Sequence, residues 1–163
     1  MSTFKLQSPA FAHDAPIPAR FTCQGEDHSP PLEWSGVPLD TRSFVLIVDD
    51  PDAPDPAAPR RLWVHWLRYN LPSETRALAE GEGNRDPSVG EDARTDANAL
   101  GYHGPCPPIG RHRYYFRLFA LDTTLPSLGP KAGRAELERA MAGHVLGSAV
   151  LMGTYAQSTG RSG

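Results

Sequence analysis

Three short stretches of this sequence concentrate side chains able to do acid–base or anion chemistry. Asp49–Pro59 reads DDPDAPDPAAP. A strand that runs into alternating Asp and Pro leaves its carboxylates at a sheet rim on a stiff backbone, although alone such a cluster reads as a turn. His65 lies inside Trp63-Val64-His65-Trp66. In an alternating strand it shares a face with Trp63, while Val64 and Trp66 share the other. Alone, a histidine between tryptophans reads as a hydrogen-bonded core residue. His112-Arg113-Tyr114 opens an apolar strand just after the loop Gly104–Gly110, GPCPPIG. There His112 and Tyr114 share one face and Arg113 points to the other. Three polar groups at the rims of apolar strands point to a common site.

The chemistry of that site follows from charge. A carboxylate beside an imidazole favours the charged ring and raises its pKa above the usual ~6.5. Asp50, His65 and His112 in one pocket would then present cationic imidazoles near neutral pH. Tyr114 adds a hydroxyl donor, and the Gly104–Gly110 loop adds backbone N–H groups. Such a set suits a small phosphate or carboxylate ligand. The carboxylates repel an anion, so they must orient the histidines, share a proton, or face a cationic part of the ligand.

The elements that must position these groups read mostly as strands. Ser43–Val48, Trp63–Asn70, His112–Leu121 and Val150–Tyr155 are apolar runs rich in β-branched and aromatic residues. Tyr114, Phe116, Leu118 and Ala120 line one face of the third. Phe4–Gln7 and Ala19–Cys23 are weaker strand candidates. Leu137 and Met141, with His144 or Val145, recur at helical spacing, which predicts a helix over Arg134–Leu146 stopped by Gly147. A short helical turn is expected near Asp92–Ala97. The polar stretch Ser73–Gly104 reads as a long surface excursion of a kind that often carries function. A single domain over 1–157 is expected, with 158–163 as a disordered tail.

Composition agrees with a β-rich architecture. The 163 residues include 17 Pro and 15 Gly, which break long helices and supply turns. The fold class is therefore all-β with minor helices: a two-sheet antiparallel β-sandwich with short peripheral helices. A net charge of −3 with no basic block leaves nucleic acid and polybasic membrane contact unsupported. No signal-peptide pattern and no apolar run of ~18–20 residues occur, so a cytoplasmic protein without a transmembrane segment is expected. In that compartment Cys23 and Cys106 read as free thiols rather than a disulfide.

Taken together, the motifs resemble the phosphatidylethanolamine-binding proteins, also called Raf-kinase-inhibitor-like proteins. The matching pieces are Ser29-Pro30 with Trp34 and Pro38, Asp50-Pro51-Asp52-Ala53-Pro54, Trp63-Val64-His65-Trp66 with Asn70-Leu71-Pro72, and Gly101-Tyr102 through Pro107-Pro108. His112-Arg113-Tyr114, Gly143-His144-Val145-Leu146 and Gly153-Thr154-Tyr155 complete the series, which runs from about Phe4 to Gln157. The resemblance implies a β-sandwich with a pocket at one end for small anions and phosphorylated head groups such as phosphorylethanolamine. It implies pocket positions at Asp50, Asp52, Pro54, His65, Gly104, Pro107, His112 and Tyr114, and a cis peptide at Ala53-Pro54. Val64 stands where other members often carry a second histidine. A homodimer is implied by similarity to the bacterial members. The chain stops shortly after Tyr155, so the C-terminal helix of the larger eukaryotic members, and the regulation tied to it, are not carried over.

The functional expectation is a ligand-binding module without catalytic residues, metal or cofactor. Its partners would be a small phosphate-like anion or phospholipid head group. One alternative is an inhibitor that acts on a kinase or protease through its surface. The other is a hydrolase that uses the Asp/His cluster. Against the hydrolase stand the absence of G-x-S-x-G, H-E-x-x-H and C-x-x-C patterns. His144 reads as a structural residue on the helix face, and His13, His28 and His103 as loop histidines without identified partners.

Overall fold

The computed structural model describes residues 3–158, so all but Ser158 of the expected tail lies outside the described residues. Eight strands and one helix follow in order. They are β1 (Lys5–Gln7), β2 (Leu32–Ser35), β3 (Ser43–Ala53), β4 (Arg61–Pro72), β5 (Ala77–Leu78), β6 (Glu91–Asp92), β7 (His112–Leu121), α1 (Arg134–Met141) and β8 (Val145–Tyr155). They form two antiparallel sheets, β1-β2-β5 and β6-β4-β3-β7-β8, the expected two-sheet arrangement.

The larger sheet is buried on both faces, and this explains the sequence of its central strand. Phe44, Leu46 and Val48 of β3 join Phe116 and Leu118 of β7 in a core against Leu6 and Trp34 of the small sheet. Val45 and Ile47 point the other way, into a second core with Leu67, Leu137 and Met141. Neither face of β3 meets water, so Phe44–Val48 is continuously apolar instead of alternating. Strand β7 keeps the predicted alternation: Tyr114, Phe116, Leu118 and Ala120 are buried while Arg113 is exposed.

Several elements differ from expectation. The helix ends at Met141, because Gly143 takes φ +83° and the chain reverses there. Val145 and Leu146 then begin β8, which runs eleven residues along β7. His144 therefore lies beyond the helix, with its Nδ1 2.8 Å from Asp122 Oδ1. Ala19–Phe21 is a 3-10 turn, and the expected turn near Asp92–Ala97 is replaced by β6 and a short loop. The Ser73–Gly104 excursion is partly drawn inward by Arg68. This fully buried guanidinium donates to Asp92 Oδ1 at 2.6 Å and Glu82 Oε2 at 2.9 Å. Burial pushes the Glu82 carboxyl up, but hydrogen bonds from Arg85, Ser88 and Arg68 outweigh it and hold the group at about 2.

The cysteines also depart from the sequence reading. Cys23 and Cys106 form a disulfide with Cα atoms 5.4 Å apart. The 3-10 turn sets Cys23 beside the Gly104–Gly110 loop, where its N–H donates to the Pro105 carbonyl at 3.1 Å. Compartment arguments weigh the reductant outside, whereas proximity of the two backbones decides which sulfurs can meet.

Candidate functional site

A cavity of about 390 Å³ opens where β3 ends and β4 and β7 begin. Its lining includes seven of the eight predicted positions: Asp50, Pro54, His65, Gly104, Pro107, His112 and Tyr114. Asp52 is the exception. Its carboxylate turns away to Arg113, accepting from the backbone N–H at 2.8 Å, from Nε at 3.0 Å and from Nη2 at 2.9 Å. The Arg113 guanidinium holds the Asp52 carboxyl below the usual carboxylate range. Asp52 thus fastens the end of β3 to β7 from outside the cavity. The Ala53-Pro54 peptide is cis, as the resemblance implied.

A register slip aims His65. Val48 of β3 pairs with Trp66, but the next residue, Asp49, pairs with Val64. His65 is the extra residue of a β-bulge, a device that re-aims side chains at strand ends. Val64 consequently packs in the helix-side core and Trp66 in the core between the sheets. The expectation that these two share a face fails because strict alternation does not survive a bulge.

The two histidines play different parts. Nδ1–H of His112 donates to Asp50 Oδ2 at 2.6 Å, and Nε2–H donates to the Ile109 and Pro54 carbonyls at 2.9 and 3.1 Å. Every partner is an acceptor, so satisfying them all requires a proton on each nitrogen. The other Asp50 oxygen accepts from the Asp52 N–H at 2.7 Å. This closed pair forms the cavity floor, and His112 has no donor left for a ligand. His65 instead donates from Nδ1 to the His103 carbonyl at 2.5 Å, and its Nε2 has no partner among the described residues. Burial pushes the His65 pKa down, with the His103 carbonyl and Asp50 pulling weakly the other way. The ring is therefore neutral at neutral pH, contrary to the expectation of two cationic imidazoles.

Tyr114 stands between them. Its ring meets His65 edge-on at 5.3 Å and stacks against His112 at 6.2 Å between centroids. Its hydroxyl is buried and makes no well-formed hydrogen bond among the described residues, although the Asp50 carboxylate lies nearby. Burial, then the Asp50 carboxylate, raises its pKa, so the hydroxyl keeps its proton and can donate.

The Gly104–Gly110 loop is less generous with N–H groups than expected. Gly104 N–H is already taken by Asp27 Oδ1 at 2.9 Å. Asp27 lines the cavity and was missed in the sequence. Its φ of +60° belongs to a turn conformation that Asp tolerates. Nothing local in GEDHS, however, says that the turn meets Gly104, 77 residues further on. Burial pushes the Asp27 carboxyl up, against the opposing Gly104 N–H. Trp63, Ala53 and Pro108 complete largely apolar walls. His103 also lines the cavity, while His28 pairs with Glu80 and His13 accepts from the Met152 N–H. Among the described residues, no group of three or more His, Cys, Asp or Glu side chains is placed to hold a metal ion. No helix among them is long and apolar enough to cross a membrane.

These features agree with comparisons to known proteins. The sequence matches the phosphatidylethanolamine-binding protein family profile over residues 7–156. It is 47% identical over 152 residues to a UPF0098 protein of Methanothermobacter thermautotrophicus, covering 92% of this chain and 97% of that one. The fold is similar to the crystal structure of a phosphatidylethanolamine-binding protein homologue from Chlamydia trachomatis, with a TM-score of 0.87 and 40% identity over 97% of this chain and all of the other. E. coli YbcL, described as a member of the mammalian family, superposes with a TM-score of 0.85 at 29% identity, covering 95% and 99% of the two chains. The family match over nearly the whole chain, the identity to relatives and the likeness of fold converge, and the chain belongs to the phosphatidylethanolamine-binding protein family.

Proposed function

We propose that the cavity binds a small ligand through a phosphate-like group, such as that of phosphorylethanolamine. The observation that carries this reading is the Tyr114 hydroxyl, a buried donor with no well-formed hydrogen bond among the described residues. Leaving such a group unsatisfied costs about 1–3 kcal/mol, which a ligand oxygen would recover. His65 Nε2 offers a second contact, and Asp27 faces the cavity where an ammonium group on the same ligand could be met. The Asp50–His112 pair supplies the rigid floor.

Replacement of Tyr114 by Phe tests this directly. The variant is expected to unfold at the same urea concentration as the parent or a higher one, because it removes an unpaired buried polar atom. Its affinity for phosphorylethanolamine, read by calorimetry, is expected to fall about tenfold, the worth of one hydrogen bond to a charged group. Unchanged affinity would overturn the assignment. Turnover of phosphoesters by the parent protein would favour the hydrolase alternative instead.

The pH dependence has a definite sign. An anion at His65 Nε2 needs a proton there, and burial has lowered that group's pKa in the free protein. Binding therefore takes up a proton, and affinity should rise by up to about tenfold per pH unit as pH falls from 8 toward the free-protein value. Stability of the free protein runs the other way. The unfolded histidine binds a proton below about pH 6.5 more readily than the folded one, so stability drops on acidification through that range and ligand restores it. Calorimetry in buffers of different ionisation enthalpy measures the proton uptake. A zero value would remove His65 from the contact.

A further inference from the structure

The Cys23–Cys106 disulfide lies on the rim of the cavity, and both cysteines are exposed. It joins segments 83 residues apart in sequence. One is the turn that carries Asp27. The other is the irregular stretch between Gly101 and Gly110, two glycines with φ of +103° and +72°.

That stretch supplies the acceptors which orient both site histidines. The His103 carbonyl takes the His65 Nδ1 proton, and the Ile109 carbonyl takes the His112 Nε2 proton. The disulfide falls between these two anchor points. On the His103 side the loop has other ties: the His103 N–H to the His65 carbonyl, Gly104 N–H to Asp27, and the Tyr102 hydroxyl to the Phe21 carbonyl. On the Ile109 side little else holds it. Pro107 and Pro108 have no N–H to offer, and Pro107 is held through its carbonyl by the Gln157 side chain at 3.0 Å.

We infer that Cys23–Cys106 is a thiol–disulfide exchange site whose redox state sets how firmly this cavity wall is held, and thereby ligand affinity. The affinity part rests on the anion-binding reading above. The co-reactant is a dithiol. Its thiolate attacks one sulfur of the pair, breaking the S–S bond and forming a mixed disulfide, and the expelled cysteine thiolate takes up a proton. The second thiol of the reductant then displaces the remaining cysteine. Two electrons and two protons pass to Cys23 and Cys106, and the dithiol becomes a disulfide. Both cysteines are exposed, which makes the site reachable without unfolding the core. Once the link is cut, the Cys106–Gly110 half of the loop loses its covalent tie, and the Ile109 carbonyl is free to leave His112.

The test compares the full-length protein oxidised and after treatment with dithiothreitol, with inorganic phosphate as probe. Amide exchange at Cys23, whose N–H is held by the Pro105 carbonyl across the link, is expected to quicken about tenfold or more on reduction while strand β7 is unaffected. Phosphate affinity is expected to weaken about fivefold, as preorganisation is lost, and to recover on reoxidation. A Cys23→Ser/Cys106→Ser variant should match the reduced protein. Equal exchange in the two states, or thiols that appear only when the core unfolds, would overturn the inference. Equal, measurable phosphate affinity in both states would overturn its control of binding. If neither state binds phosphate while exchange still responds, the anion reading fails and the redox-held wall stands.

Discussion

Asp50→Asn is expected to lower the unfolding free energy by about 3 kcal/mol or more, at the scale of breaking one side of a buried ion pair. The substitution keeps the shape, so the effect isolates charge and hydrogen bonding. Both Asp50 oxygens accept from N–H groups, one from Asp52 and one from His112. An amide has one oxygen, so its NH2 must face one of these donors. Asp50 is 3% exposed and His112 0%, so water cannot step in to repair the mismatch. His112 keeps its carbonyl acceptors at Pro54 and Ile109 but loses the carboxylate that balances a second proton. Urea unfolding followed by tryptophan fluorescence measures the loss, and Trp63 in the cavity wall reports the site. A change under about 1 kcal/mol would mean the pair is not the floor that holds the strand ends together. Tyr114→Phe provides the contrast, since there stability is expected to be retained while affinity falls about tenfold.

Gly104→Ala is expected to cost about 1–3 kcal/mol in stability, the usual range for forced overpacking, and about tenfold or more in phosphate affinity. A Cβ at this position would lie 2.2 Å from the Phe21 carbonyl oxygen and 2.3 Å from Asp27 Oδ1. The first neighbour is backbone and cannot swing aside. The loop must move out, which pulls the Gly104 N–H from Asp27 and drags the neighbouring His103 carbonyl from His65. Thermal melts and calorimetry with phosphate report the two effects. Gly133→Ala is the control for space, because its Cβ would meet only ordinary contacts, 3.4 Å from the Arg94 carbonyl; as the N-cap of α1 it should lose about 0.5–1 kcal/mol and leave phosphate affinity unchanged. Equal behaviour of the two variants would show that the loop is not seated as described. Gly104 thus belongs to the site as the point where two loops touch, and its N–H is not offered to a ligand.

How much of this was legible depended on how local each signal was. Strand β7 begins and ends where its alternation does, because its inner face meets the core along its whole length. The apolar runs mark β3 and β4 but stop short of their ends, since the Pro- and Asp-containing ends stay paired at the rim, where ladder bonds are few. The helical spacing overruns α1 because Val145 and Leu146 continue an apolar pattern that a strand can also use. Asp50, His65, His112 and Tyr114 meet at the cavity because they sit at the ends of apolar strands that the sequence marks clearly, whereas Asp52 turns away to Arg113 and Asp27 carries no local signal. The charge of His65 is not legible in the same way. Proximity to Asp50 argues for charged rings, but only burial and the His103 carbonyl show His65 as neutral, and only three acceptors around His112 show its protons as already spent.

The sequence by itself determined the β-rich class, the strands that carry the site, and the residue types gathered at one end of the sandwich. These follow from periodicity and turn chemistry, which act over a few residues at a time. Tertiary structure alone decided the bulge that turns His65 inward, the seat of Gly104 on Phe21, the approach of Asp27, and the meeting of Cys23 with Cys106. Each of these depends on where two distant segments pass one another. That is set by the register and stacking of whole sheets, and no window of neighbouring residues encodes it.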